Sequence, residues 1–169
     1  MKKYFRILLV LLVAILLVGC SSDSEKDNDN NVDTGNEETV IKKCTLNQDN
    51  SAQGYALNST YEIYAKGQVV EKVITKEVVN SSDQDILNYF EEQLKKTYDT
   101  ASAAYGGYKY SVVKDTDSVT SDVEINYSKM DMDKFVKDTP SMSNYLNAKN
   151  QMTLSGITML YKSLGATCE

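Results

Sequence analysis

Two stretches at the start of this chain cannot contribute to a folded core, and that limits everything after them. Residues 7–18 form an unbroken apolar run of 12 behind Lys2, Lys3 and Arg6, the charged-then-apolar order of a secretory signal. A membrane-spanning helix needs about 20 apolar residues, so this run is too short to be a permanent span. Residues 21–38 carry seven acidic side chains, one lysine (Lys26) and a single sizeable apolar side chain, Val32, and so cannot bury themselves. As a flexible coil such a segment reaches roughly 20 to 25 Å, further where like charges repel, which makes it a tether. What remains, residues 39–169, is 131 residues, enough for one domain of ordinary size. A chain that is 41% hydrophobic and 25% charged suits neither a polytopic membrane protein nor a wholly disordered one.

The apolar run closes on Leu17-Val18-Gly19-Cys20. This resembles the bacterial lipobox: a branched apolar residue, a small or apolar one, a small one, then the cysteine that becomes residue one. The resemblance implies a signal peptide over residues 1–19, a thioether-linked diacylglycerol on Cys20, and residues 20–38 as lipidated cysteine plus acidic tether. Each buried methylene contributes about 0.8 kcal/mol, so palmitate-length chains hold such a lipoprotein in the cell membrane on its extracytoplasmic face.

Charge and missing residue types exclude several functions. Lys plus Arg is 18 against 24 Asp plus Glu, a net charge of −6, whereas phosphate binding needs a basic surface; no nucleic-acid partner is expected. Histidine and tryptophan are absent. That removes Ser-His-Asp and Cys-His catalysis and His-ligated metals. Asp27, Asp29, Asn31, Asp33 and Glu38 do fall at positions 1, 3, 5, 7 and 12 of an EF-hand-like loop. Val32 stands where that loop needs glycine, and no amphipathic helices flank it, so a solvated tether is the better reading.

Periodicity orders the domain. Strands are expected over 38–46, 55–65 and 69–79, the last two joined at Lys66-Gly67-Gln68 as a hairpin. Ser82, three residues before Asp85, reads as a capping-box-like helix start. Ile86, Leu87, Phe90, Leu94, Tyr98 and Ala101 then make one apolar stripe. Strands over 108–114 and 119–127 follow, with a short helix capped by Asp131, another over 141–148, and a last helix from Thr153 to a cap at Gly165. Three strands, a helix, two strands and further helices make an α+β fold: two layers, with an antiparallel sheet and helices mainly on one face.

Taken together, the lipobox, Cys44-Thr45-Leu46, Tyr61-Glu62-Ile63-Tyr64, the Gly67 turn into Val69-Val70-Glu71-Lys72-Val73, and Lys162-Ser163-Leu164-Gly165 resemble the YehR-like small bacterial lipoproteins. That is a family of unknown function. The resemblance spans residues 39–169 and implies a two-layer sheet-and-helix fold without implying a mechanism.

Three groups of residues are candidates for chemistry. Cys44 and Cys168 are the cysteines left once Cys20 is lipidated. Outside the reducing cytoplasm a disulfide is the first expectation, with α-carbons about 4.4 to 6.8 Å apart; two free thiols, or a redox pair lacking the CxxC spacing, are the alternatives. Eleven of the twelve tyrosines lie in the domain. Tyr61, Tyr64, Tyr108 and Tyr110 are candidates for a binding face that stacks on a sugar or docks a partner, against the plainer reading that tyrosine packs half-buried strands in a chain short of Phe. Asp115, Asp117, Asp122 and Glu124 could hold a divalent cation, yet a polar turn and the solvent face of a strand account for all four. No catalytic residue, metal site or cofactor is expected. The reading is a membrane-anchored, non-enzymatic extracytoplasmic module that binds an envelope protein or glycan. A carboxylate- or tyrosine-dependent envelope enzyme and a surface antigen or adhesin are its alternatives.

Overall fold

The computed structural model describes residues 39–169. The signal run, Cys20 and the acidic tether lie outside the described residues. Three long strands, β1 (Thr39–Asn50), β2 (Tyr55–Lys66) and β3 (Val69–Asn80), form a meander; helix α1 (Gln84–Tyr105) follows, then β4 (Tyr108–Lys114) and β5 (Ser118–Asn126). Short α2 (Met132–Asp138), a 3-10 turn (Pro140–Tyr145), α3 (Leu154–Ser163) and the two-residue β6 (Thr167–Cys168) complete the chain. The sheet order is β4-β5-β3-β2-β1-β6, antiparallel throughout. This is the expected α+β architecture.

Strand alternation decides which sheet face carries the helices. Along β2, Tyr55, Leu57, Ser59, Tyr61, Ile63 and Ala65 are buried while the residues between them are not. In β3 the parity switches: Val70 is buried, and so are Val73, Thr75, Glu77 and Val79. The cause is an irregularity opposite Tyr64 and Ala65, where Lys72 and Val70 are the partners and Glu71 is the extra residue. The opposite face is solvated, with Ile41 62% and Val113 54% exposed.

Helix α1 lies mainly over β4 and β5, and α3 over the β1–β2 half, where Ile157, Leu160 and Tyr161 pack with Cys44, Tyr61 and Ile63. The stripe on α1 is as expected, with Ile86, Leu87, Phe90, Leu94 and Ala101 buried. Its cap is one residue later than the sequence suggests. Asp83, not Ser82, accepts from the Asp85 amide (2.8 Å). Ser81 takes up the space before it, donating to the Gly54 carbonyl (2.6 Å) and accepting from the Asp83 amide (3.0 Å). The helix expected over 141–148 is a 3-10 turn instead. Pro140 starts it, but the chain must leave the turn at once to bridge Leu146 to Met152.

The start of α3 carries a testable close approach. Thr153 caps the helix, accepting from the Gly156 amide (3.0 Å) and donating to the Tyr145 carbonyl (3.0 Å). A Cβ on Gly156 would run into that same carbonyl and sit 2.7 Å from the Thr153 hydroxyl. Helix propensity alone would make Gly156→Ala stabilising by about 1 kcal/mol. A backbone carbonyl cannot swing aside as a side chain does, and overpacking of this kind costs about 1 to 3 kcal/mol. The variant is therefore expected to be the less stable protein, by up to about 2 kcal/mol in a denaturant titration; a gain in stability would contradict the close packing.

Candidate functional site

The buried apolar side chains separate into distinct clusters, one under α3 and two smaller ones under α1. Sheet register explains the gap. Ser59, Glu77 and Ser121 stand directly opposite one another on β2, β3 and β5, a polar row across the inner face. Thr75, one inward step along β3, widens it. Over this row, between α1 and α3, lies a cavity of about 100 Å³. Phe90, Leu94 and Tyr98 reach it from α1, Leu160 and Tyr161 from α3, and Thr75 and Glu77 form part of its floor. Phe90, Gln93, Leu94, Thr97 and Tyr98 fall on one face of α1 by their spacing. Of these Gln93 and Thr97 are partly exposed and give the cavity a polar margin.

Glu77 is the one ionisable carboxyl in the lining, and it is 8% exposed. Tyr98 donates to its Oε2 (3.0 Å), as does Ser121 (3.2 Å). Burial pushes the carboxyl above the usual carboxylate range, an effect these two donors only partly oppose. Neighbouring phenols move the same way for the same reason: burial raises Tyr61, Tyr98 and Tyr161, with the Glu77 charge adding to each. Among the described residues no Lys or Arg lines the cavity.

The four candidate tyrosines do not form one face. Tyr61 is 6% exposed and stacks on Tyr161, with ring centroids 4.1 Å apart, in the cavity wall. Tyr108 also lines the cavity, where burial pushes its hydroxyl up to about 12. Tyr110 leans on Tyr98 at 5.4 Å and donates to Asp99 at the α1 edge. Tyr64 lies on the opposite sheet face, where its hydroxyl donates to Glu62 (3.1 Å) and the Lys72 ammonium sits 4.5 Å over its ring. An odd separation along one strand sends side chains to opposite faces, so Tyr61 and Tyr64 were bound to part.

Cys44 and Cys168 are joined by a disulfide, their α-carbons 4.0 Å apart. That is shorter than the spacing expected of disulfides in general. The two residues are cross-strand partners, flanked by Lys43 and Glu169, which exchange both backbone hydrogen bonds (3.2 and 2.9 Å). A non-hydrogen-bonded antiparallel pair of this kind brings α-carbons to about 4.5 Å. The four acidic candidates do not converge. Asp115 and Asp117 lie in the turn between β4 and β5, Asp122 is exposed, and Glu124 pairs with Lys109 (3.4 Å). Among the described residues no group of three or more His, Cys, Asp or Glu is placed to hold a metal ion.

Sequence reasoning passed over Glu77. Val73, Thr75, Glu77 and Val79 alternate, which puts an acid on the apolar face of an internal strand, and that signal was available. The parity switch at Glu71 hid it by spreading valines over both apparent faces.

No family model matches the sequence, and no curated protein matches it. Among solved structures, the NMR structure of the Escherichia coli YehR protein is similar, with a TM-score of 0.51 and 16% identity over 78% of this chain and 91% of that one. An NMR structure of a protein from Streptococcus pneumoniae TIGR4 matches with a TM-score of 0.46 and 14% identity, covering 89% of this chain and 100% of that one. The chain shares its α+β fold with YehR.

Proposed function

We propose that this protein is a lipid-anchored, non-enzymatic binding module on the extracytoplasmic side of a bacterial membrane, and that its ligand enters the cavity between α1 and α3. The cavity carries the reading: an apolar chamber with one polar anchor on its floor is the general form of a small-molecule site. A glycan platform is less well supported, because Tyr61, Tyr64, Tyr108 and Tyr110 offer no common exposed face. Paired-carboxylate catalysis has little support, since Glu77 has no second carboxyl beside it in the lining. The anchor rests on Leu17-Val18-Gly19-Cys20 and on the acidic tether that would lift the domain off the bilayer. The fold shared with YehR is consistent with a place among the YehR-like lipoproteins.

Cys20→Ser is expected to abolish acylation and signal-peptidase cleavage, moving the protein from a membrane-bound form resistant to salt washes to an unprocessed one. Fractionation and intact-mass measurement check this. An unlipidated wild-type protein, or a variant still acylated at its mature N-terminus, would remove the anchor. For the cavity, benzene added to the purified protein is expected to shift the methyl resonance of Met142, whose side chain lines it. Shifts confined to residues elsewhere would move the site.

A further inference from the structure

The polar anchor in the cavity is incomplete in a particular way. Both donors to Glu77, Tyr98 and Ser121, use Oε2. Oε1 accepts no hydrogen bond among the described residues, yet it is not one of the fully occluded unpartnered atoms, which are Asn50 Nδ2 and Ser59 Oγ. That oxygen therefore keeps a surface that something in the cavity can touch. The groups facing the carboxyl from the packed elements are phenols and hydroxyls: Tyr61 from β2, Tyr98 from α1, Tyr161 from α3 and Ser121 from β5. No protein cation balances it among the described residues.

We propose that the cavity binds a small organic cation, an ammonium group carried on an apolar body, with the ammonium donating to Oε1 of Glu77. The inference rests on the cavity being the ligand site. An acid held among apolar walls without a counter-ion meets a cation through a Coulomb attraction that water screens little, and that attraction has to offset the cost of stripping water from the ammonium. The walls, Phe90, Leu94 and Leu160 among them, repay burial of the ligand's apolar part. A cavity of about 100 Å³ limits that part to roughly one ring or a short alkyl chain.

Binding requires ionised Glu77. Because burial favours its protonated form, cation binding must expel a proton whenever the empty site is protonated, and affinity should climb as pH rises through the Glu77 titration. A ligand that instead accepts a hydrogen bond from the neutral carboxyl would weaken over the same range.

The test uses the lipidated protein in nanodiscs, with empty nanodiscs as the blank, and three probes of similar shape: benzylamine, benzyl alcohol and benzoate. Benzylamine is expected to bind at least tenfold more tightly than benzyl alcohol where Glu77 is ionised, at the upper end of a pH series, and to lose that margin as pH falls through the Glu77 titration. Glu77→Gln keeps an acceptor for Tyr98 and Ser121 and should erase the preference for the amine over the alcohol. Equal affinity for amine and alcohol in the wild-type protein would overturn the cation and leave the cavity as the ligand site. Tightest binding of benzoate would overturn it in favour of an acceptor ligand. Failure of all three probes to bind would overturn both the cation and the cavity. The wild-type comparisons decide the matter even if the variant fails to fold.

Discussion

Replacing Cys168 by serine is expected to lower the stability of the oxidised domain by about 4 to 5 kcal/mol and to make little difference once reductant is present. The bridge joins residues 124 apart, so it closes nearly the whole domain into one loop and removes a large share of the unfolded chain's freedom. Its local role is just as concentrated. Strand β6 has only two residues, and beyond its pairing with Cys44 and Thr45 it is held by the backbone exchange between Lys43 and Glu169. Without the bond, β6 has little to keep it on β1, and the tail should fray before the rest unfolds. Cys168 is the better partner to change because Cys44 is fully buried and a lone hydroxyl there would add a desolvation cost of its own. Denaturant titrations with and without reductant give the numbers, and thiol labelling of the unfolded wild-type protein gives the count. Two reactive thiols in protein prepared without reductant would show that the bond does not form.

The pairing of those cysteines was readable because the residue count and the compartment implied by the N-terminus restrict the choices. Helix α1 was readable because one apolar stripe, from Ile86 to Ala101, recurs at helical spacing. The end of β1 was not. Gln48, Asp49 and Asn50 look like a loop, and they are strand because β2 supplies partners as far as Asn50 opposite Tyr55, with Gly54 at φ +87° making the return. Pairing is a property of two segments, and one segment's composition cannot announce it. The same limit hid the site. Tyrosine composition pointed to the sheet but could not say which ring faces which layer, and the polar row of Ser59, Glu77 and Ser121 exists only through register across three strands. Ser59 and Ser121, taken alone, are ordinary polar residues in strands; only Glu77, an acid among the inward residues of β3, stands out within its own strand.

The cavity's energetic weight is open to a separate test at Phe90, which is 1% exposed, lies 5.1 Å from the Tyr55 ring and forms part of the cavity wall. Phe90→Ala removes a ring from a wall that already borders empty space, so neighbours have little to collapse onto, and the loss should fall at about 3 to 5 kcal/mol. Because the new space joins the old, the enlarged chamber should also take an apolar guest. Benzene at ten times its dissociation constant would restore about 1.4 kcal/mol. Ile86→Ala is the control, since Ile86 sits in the same buried cluster as Phe90 and does not line the cavity. That variant should be destabilised without a comparable rescue. Equal rescue of both would mean that benzene fills the cavity both variants share and gains nothing from the space left by the ring. No rescue of Phe90→Ala would mean that the walls close over the space left by the ring, and a chamber that closes so readily would not hold a ligand against Glu77.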